Sequence, residues 1–129
     1  MSQPFVYVGV VKIKPGKVEE FKKLWPEHVQ LCETNEPRLI AFHAFLDEEA
    51  GKAAIVQVHP DSESMKFHMQ VIAEHVGGMS DWLDETESEN VYGQPYEGMI
   101  ESWKEWFPGA TYNVFTKHEG GFTRTNAAP

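Results

Sequence analysis

The sequence predicts an α+β fold in which two helices cover one face of an antiparallel sheet. Three observations lead to this prediction. Short runs rich in valine and aromatic residues alternate with longer runs whose apolar residues recur every three or four positions. Turn residues separate these runs, so that the order of elements is β-α-β-β-α-β, followed by a C-terminal segment. A length of 129 residues suits one compact domain.

The first strand and helix are predicted from a change of period. Residues Phe5–Ile13 indicate a strand, because they are β-branched or aromatic and stop at the turn Pro15–Gly16. An amphipathic helix follows from Lys17. Its apolar stripe consists of Val18, Phe21, Trp25, Val29 and Cys32. Pro26 predicts a kink in this helix, and Asn35–Glu36–Pro37 predicts its end.

A hairpin and a second helix come next. Arg38–Leu46 and Ala53–Val58 predict two strands around a polar segment that contains Gly51. Asp61 can cap the helix that follows, and Gly77–Gly78 predicts its end. The buried stripe of this helix consists of Met65, Met69, Ile72 and Val76.

The remaining chain predicts four further segments. These are a short acidic helical segment around Asp81–Thr86, a strand near Asn90–Gly93, an amphipathic helix over Glu97–Phe107 and a strand over Thr111–Lys117. We predict a single domain over residues 1–129, with a core of about residues 4–94 and a C-terminal helix–strand extension of about residues 95–129.

The order βαββαβ corresponds to the ferredoxin-like fold, a four-stranded antiparallel sheet with two helices on one face. The first strand is apolar on both of its faces. One face carries Phe5, Tyr7, Val11 and Ile13, and the other carries Val6, Val8 and Val10. Because the helices cover only one face, we expect the same sheet of a second copy to cover the other. The residue pattern therefore predicts a homodimer.

Composition excludes several classes of partner. The net charge of −9 disfavours binding to nucleic acid and to acidic lipid surfaces. The single cysteine, Cys32, can form neither an intramolecular disulfide nor a thiolate zinc cage. No apolar run approaches the roughly 20 residues of a membrane-spanning helix, and the N-terminal residues lack the pattern of a secretion signal. We expect a cytoplasmic protein with no membrane partner.

Three segments resemble the antibiotic biosynthesis monooxygenase domain: VGVVKIKPGKVEEFKKLW, NEPRLIAFHAFLDEE and IVQVHPDSESMKFHM. The shared features are the turn Pro15–Gly16–Lys17, a corner at Glu36–Pro37, and a helix that carries Ser64 and His68. Arg38 stands where this family commonly has glycine. The resemblance covers about the first 90 residues and implies a dimeric ferredoxin-like α/β barrel.

The resemblance implies two functions. One is a cofactor-independent monooxygenase that oxidises a small aromatic compound, such as a quinol or a polyketide, in a pocket between helices and sheet. The other is a non-catalytic, homodimeric module that binds a small apolar ligand or is associated with stress. No metal or cofactor is expected. We take His68 as the candidate base or anion partner. The candidate substrate-binding residues are Tyr7, His43, Met65 and Trp82.

The histidines leave alternatives open. His68 and His75 lie two helical turns apart, roughly 10 Å, which is too far for both to bind one metal ion. His68 at the margin of the apolar stripe could transfer protons or could be an inert, hydrogen-bonded residue. His75 could simply interact with the helix dipole.

The register of the hairpin is also open. If the turn centres on Gly51, His43 and His59 lie opposite each other and could hold a metal ion together with His68. If the turn centres between Glu49 and Ala50, His43 faces Val56 instead.

Two further groups favour a structural interpretation. The acidic run of residues 81–89 is typical of a solvated surface, because it lacks the ligand spacing of a calcium loop. Ser62 and Ser64 are interpreted as residues that start a helix, and not as nucleophiles.

Phe67 points away from the buried stripe of its helix, so we expect it to pack against the later helix or a partner chain.

Overall fold

The computed structural model describes residues 3–75 and 79–124, and it confirms the predicted α+β fold. Five strands form one sheet: β1 (Phe5–Ile13), β2 (Ala41–Asp47), β3 (Lys52–His59), β4 (Leu83–Tyr92) and β5 (Thr111–Phe115). The helices are α1 (Val18–Asn35), α2 (Ser62–His75), α3 (Met79–Trp82) and α4 (Met99–Trp106). The predicted helix end at Gly77–Gly78 and the side chain of His75 lie outside the described residues.

The strand order is β2-β3-β1-β4-β5, and the first four strands pair antiparallel. This is the predicted ferredoxin-like core. The sheet has five strands instead of four, because the C-terminal extension adds β5 parallel to β4. A parallel neighbour requires a crossover connection, which α4 provides. The side chains of Tyr112 and Val114 on β5 pack against the core.

All the buried apolar side chains of β1 point to the face that the helices cover. The centre of the core consists of Phe5, Tyr7, Val11, Phe21, Ile55, Met65, Trp82, Val91, Met99 and Trp103. On the other face, Val6, Val8 and Val10 are only half-buried, and Phe45 and Phe115 are exposed. One face of the sheet is therefore left open. Among the described helices, none combines the length and the apolar character needed to cross a membrane.

The predicted acidic helix over Asp81–Thr86 is wrong beyond Trp82, where the chain continues as β4. Two of the acidic side chains of β4 pair with lysines of β1 and β3. Nζ of Lys12 lies 2.8 Å from Oε1 of Glu85, and Nζ of Lys52 lies 2.6 Å from Oε1 of Glu87. Strand pairing with residues distant in the sequence therefore decides the structure of this segment, and the ion pairs accompany it.

Under α4, the sheet contains a buried pair of polar side chains. Oη of Tyr7 donates to Oε1 of Glu89 over 3.0 Å, and the Tyr7 ring meets Trp103 edge-on at 5.2 Å. Gly9, opposite Glu89 in the ladder, makes room for Tyr7, because a Cβ at this position would lie 2.0 Å from Oη of Tyr7. Burial raises the pKa of Glu89 to about 7, against the hydrogen bond from Tyr7, which lowers it.

This raised pKa predicts a dependence of stability on pH. The folded pKa of Glu89 exceeds its ordinary value of 4.5, so the folded chain binds this proton more tightly than the unfolded chain does. The stabilisation of the folded chain by the proton on Glu89 is complete below pH 4.5 and is lost as the pH rises through about 7. Tyr7 and Tyr112, which lie near Glu89, do not titrate in this pH range, because burial raises their pKa values above 10.0.

We predict that Glu89→Gln is more favourable for stability at pH 8 than at pH 5, when the variant is compared with the unchanged chain at each pH. The difference in unfolding free energy between variant and unchanged chain should grow by about 2 kcal/mol between these pH values. Urea denaturation at both pH values measures it. Glu85→Gln, an exposed position on the same strand, is the control and should show no comparable change. An equal effect of Glu89→Gln at both pH values would contradict the assignment.

Candidate functional site

The end of α1 meets α2 at a buried hydrogen bond between Glu36 and His68. Nδ1 of His68 lies 2.8 Å from Oε2 of Glu36 and 3.0 Å from Oε1. Glu36 is 3% exposed and His68 is 2% exposed. A carboxylate can only accept, so Nδ1 of His68 carries the hydrogen and donates it. In the neutral ring, Nε2 of His68 is then the nitrogen that can accept a proton.

Cys32 belongs to the same cluster, one helical turn before Glu36. Its Sγ lies 3.9 Å from Nδ1 of His68. Burial, and then the neighbouring Glu36, raises the pKa of the Cys32 thiol, so the sulfur keeps its proton at neutral pH. Sγ of Cys32, a carboxylate oxygen of Glu36 and a ring nitrogen of His68 lie within 4.8 Å of one another. This spacing could hold a metal ion, although the hydrogen bond already pairs Glu36 with His68.

A second buried polar group lies beside the first. Nδ1 of His59 is 2.7 Å from Oγ of Ser64, and Nε2 of His59 is 2.9 Å from Oε1 of Gln57. The rings of His59 and His68 are 6.1 Å apart between centroids. Burial, and then the nearby His68, lowers the pKa of His59 to about 4. The same two causes lower the pKa of His28 to about 4, so both rings are neutral at pH 7.

A pocket of about 460 Å³ lies between the segment after α1 and the start of α2. Glu36 of the first polar group and Ser64 of the second both border it. Pro37, Leu39 and the half-exposed Phe67 give the pocket an apolar wall. Charged side chains from both segments also line it: Arg38, Glu63 and Lys66. The pocket therefore touches both polar groups and offers an apolar surface next to them.

The structure separates the residues that the sequence proposed for one pocket. His68 lies in the polar cluster, directly behind Glu36. Met65 is part of the apolar core, and Trp82 packs edge-on against the ring of Phe21 at 4.8 Å. Tyr7 is bonded to Glu89 under α4, as described above. Tyr7, Met65 and Trp82 do not line the pocket beside Glu36.

The structure decides between the two hairpin registers that the sequence left open. The hairpin pairs His43 with Val56, so its turn centres between Glu49 and Ala50, and His43 does not lie opposite His59. Side chains alternate across a strand, and this register places His43 on the open face, exposed beside Phe45. His59 points to the helix-covered face. A site that joins His43, His59 and His68 is therefore excluded.

Sequence reasoning gave Glu36 only a structural role, as a helix end. One signal could have identified it. Glu36 follows Cys32 by four residues and so continues the apolar stripe of the first helix with a charged residue. Gln57 and His59 likewise continue the buried side of β3 after Ala53 and Ile55. Polar residues at positions that the periodicity assigns to the core mark this site.

Comparison with known proteins agrees with this fold. No protein-family model matches the sequence, and no curated protein matches it significantly. Among solved structures, MupZ from Pseudomonas fluorescens is similar, with a TM-score of 0.74 and 15% identity over 98% of this chain and 99% of MupZ. A conserved protein from Methanosarcina mazei Go1 has a TM-score of 0.59 and 25% identity over 69% of this chain and 90% of its own.

A third similar structure is described as "Putative antibiotic biosynthesis monooxygenase from Nitrosomonas europaea". It has a TM-score of 0.60 and 17% identity, over 75% of this chain and 95% of that protein. The match to MupZ includes the C-terminal extension, since it covers 98% of this chain. The chain therefore has the fold of proteins described as antibiotic biosynthesis monooxygenases.

Proposed function

We propose that this protein is a monooxygenase that needs no cofactor and oxidises a small, electron-rich aromatic hydroxyl compound, such as a quinol or a polyketide. The observation that carries the proposal is the buried hydrogen bond between His68 and Glu36 at the wall of a pocket. The fold supports it, because several similar structures are described as antibiotic biosynthesis monooxygenases.

The reaction begins with removal of a proton from the substrate hydroxyl. Glu36 borders the pocket, and its two carboxylate oxygens have more lone pairs than the bonds to His68 and Cys32 use. The pair Glu36–His68 accepts the proton, and burial excludes water that would compete for it. The aromatic anion then gives an electron to O₂ directly. The two radicals combine at a ring carbon that carries hydrogen, and the peroxide takes back the proton held by the pair Glu36–His68. That carbon then loses its hydrogen as a proton while the O–O bond breaks, so that one oxygen atom becomes a carbonyl oxygen and the other leaves with both protons as water.

The pocket suits a flat aromatic substrate. A volume of about 460 Å³ lies within the range of small-molecule sites. Pro37, Leu39 and Phe67 can contact the faces of a ring, while Glu36 reaches its hydroxyl group. The sequence placed the substrate among Tyr7, His43, Met65 and Trp82; we now place it against these pocket residues instead.

We also infer that two copies pair through the open face of the sheet. Phe45 is 63% exposed there, and Tyr92 stacks on the exposed Phe115 with ring centroids 5.5 Å apart. Between them lie the half-buried valines of β1 and β3: Val6, Val8, Val10, Val56 and Val58. Each Å² of apolar surface removed from water contributes about 25 cal/mol, so burial of this face is favourable. We propose that the same face of a second copy buries it.

Oxygen uptake tests the proposed activity. We expect the chain to consume O₂ with at least one member of a panel of dihydroxyaromatic compounds, and Glu36→Gln to reduce the rate by about 10²–10⁴-fold. Glu63→Gln, which changes another pocket carboxylate, is the matched control and should keep the rate within a few-fold.

No uptake with any compound, from a folded chain, would contradict the proposal and favour a non-catalytic ligand-binding module. Uptake that a chelator abolishes and added Zn²⁺ or Fe²⁺ restores would instead assign Cys32, Glu36 and His68 to a metal centre.

Light scattering tests the dimer. We predict a species of about twice 14.7 kDa, and Phe45→Asp should shift it towards 14.7 kDa because it places a charge on the open face. Phe122→Asp is the control, since Phe122 is 82% exposed and lies after β5. A folded chain of 14.7 kDa in dilute buffer would overturn the dimer.

A further inference from the structure

The proposed oxygenation does not use the second buried polar group, in which His59 is hydrogen-bonded to Gln57 and Ser64. The bonding partners of His59 determine which of its ring nitrogens carries a hydrogen. Oε1 of Gln57 can only accept, so Nε2 of His59 carries a hydrogen and donates it over 2.9 Å. In the neutral ring, Nδ1 is then a free acceptor, 2.7 Å from Oγ of Ser64. The hydroxyl of Ser64 therefore donates to His59.

This arrangement has the order of an activated nucleophile: a hydroxyl group, an imidazole that accepts its proton, and a third group that fixes the tautomer of the imidazole. Ser64 is 3% exposed and borders the pocket, so the pocket is the side from which a substrate would approach it. The backbone N–H of Ser64 donates to Oδ1 of Asp61 over 3.0 Å, which fixes the start of α2. His59 is fully buried, and its Nδ1 bonds to Oγ of Ser64.

We propose that Ser64, which the sequence suggested only as a helix-start residue, is a nucleophile that cleaves small aryl esters, with His59 as its base and Gln57 as the residue that positions His59. This esterase activity is separate from the oxygenation, and it uses the same pocket and apolar wall with a different reactive side chain. Aryl esters suit the site for two reasons. The apolar wall of Leu39 and Phe67 accepts an aromatic ring. A neutral Gln57 stabilises an imidazolium less than a carboxylate would, and this favours substrates whose leaving group needs little protonation.

The reaction balances without an external oxidant or reductant. Oγ of Ser64 forms a bond to the ester carbonyl carbon, its proton moves to Nδ1 of His59, and the carbonyl electron pair moves onto oxygen. Lys66 and Arg38 line the pocket and are its positive charges available to this oxyanion, with Arg38 also paired with Asp61. The aryloxide then leaves with the proton from His59. Water attacks the acylated Ser64, gives its proton to His59, and releases the carboxylic acid and free Ser64.

Two measurements test the proposal on the full chain. The first is p-nitrophenyl acetate hydrolysis, where we expect a burst of about one equivalent of nitrophenolate per chain, because the acyl-enzyme forms before it is hydrolysed. Ser64→Ala should remove the burst, and Ser64→Cys should restore it. Ser62→Ala is the matched control at the same helix start and should leave the burst unchanged. The second measurement is labelling of the unchanged chain with a fluorophosphonate, located by mass spectrometry, and the label should be on Ser64.

The role of Gln57 has its own readout. Gln57→Ala should lower the acylation rate constant by about 10-fold or more with an unchanged KM, and Gln57→Glu should recover part of it, because both Gln and Glu can accept from Nε2 of His59. A folded chain that shows no burst and carries no label on Ser64 overturns the proposal, as does a label found only elsewhere. If Ser64→Ala fails to fold, the fluorophosphonate labelling of the unchanged chain decides whether Ser64 is the nucleophile.

Discussion

The hydrogen bond between Glu36 and His68 is the interaction on which the site depends. A buried carboxylate is costly unless a donor faces it, by several kcal/mol for an unpaired ion. Glu36 follows the last residue of α1, and His68 lies within α2, 32 residues later. Their pairing therefore fixes the end of one helix against the side of the other. The pocket lies at this junction, with Glu36 on its wall.

The one-sided packing of the sheet explains where the polar groups gather. Helices α1, α2 and α4 cover a single face, so polar residues that point inward from β3, from α2 and from the end of α1 are largely removed from water. They bond to one another instead, in the pairs Glu36–His68 and His59–Ser64. The opposite face keeps its valines and Phe45 half-buried or exposed. One constraint thus produces both a polar site under the helices and the open apolar face that we propose as the surface for a second copy.

The sequence predicted those elements whose own period is strong. The β-branched and aromatic run Phe5–Ile13 and the apolar stripe of α1 are local patterns, and both elements appear where expected. The strand β4 does not appear where expected, and it begins inside the segment that the sequence predicted as an acidic helix. Its acidic residues, such as Glu85 and Glu87, are locally typical of an exposed helix, and the lysines that pair with them, Lys12 and Lys52, are distant in the sequence. The pairing of Glu36 with His68 and the face of His43 depend on helix docking and hairpin register, which local patterns leave open. His68 was identified because it flanks an apolar stripe, whereas its partner was not.

A double-mutant cycle on Glu36 and His68 tests this account most directly. Glu36→Gln, His68→Asn and the double variant would be unfolded in urea, and the coupling between the two changes obtained from the unfolding free energies. The account predicts a coupling of about 1.5–3 kcal/mol, as for a hydrogen bond to a charged group, so that the double variant loses less stability than the two single losses together. Effects that add within about 0.5 kcal/mol would show that these side chains do not stabilise each other, and they would contradict the account.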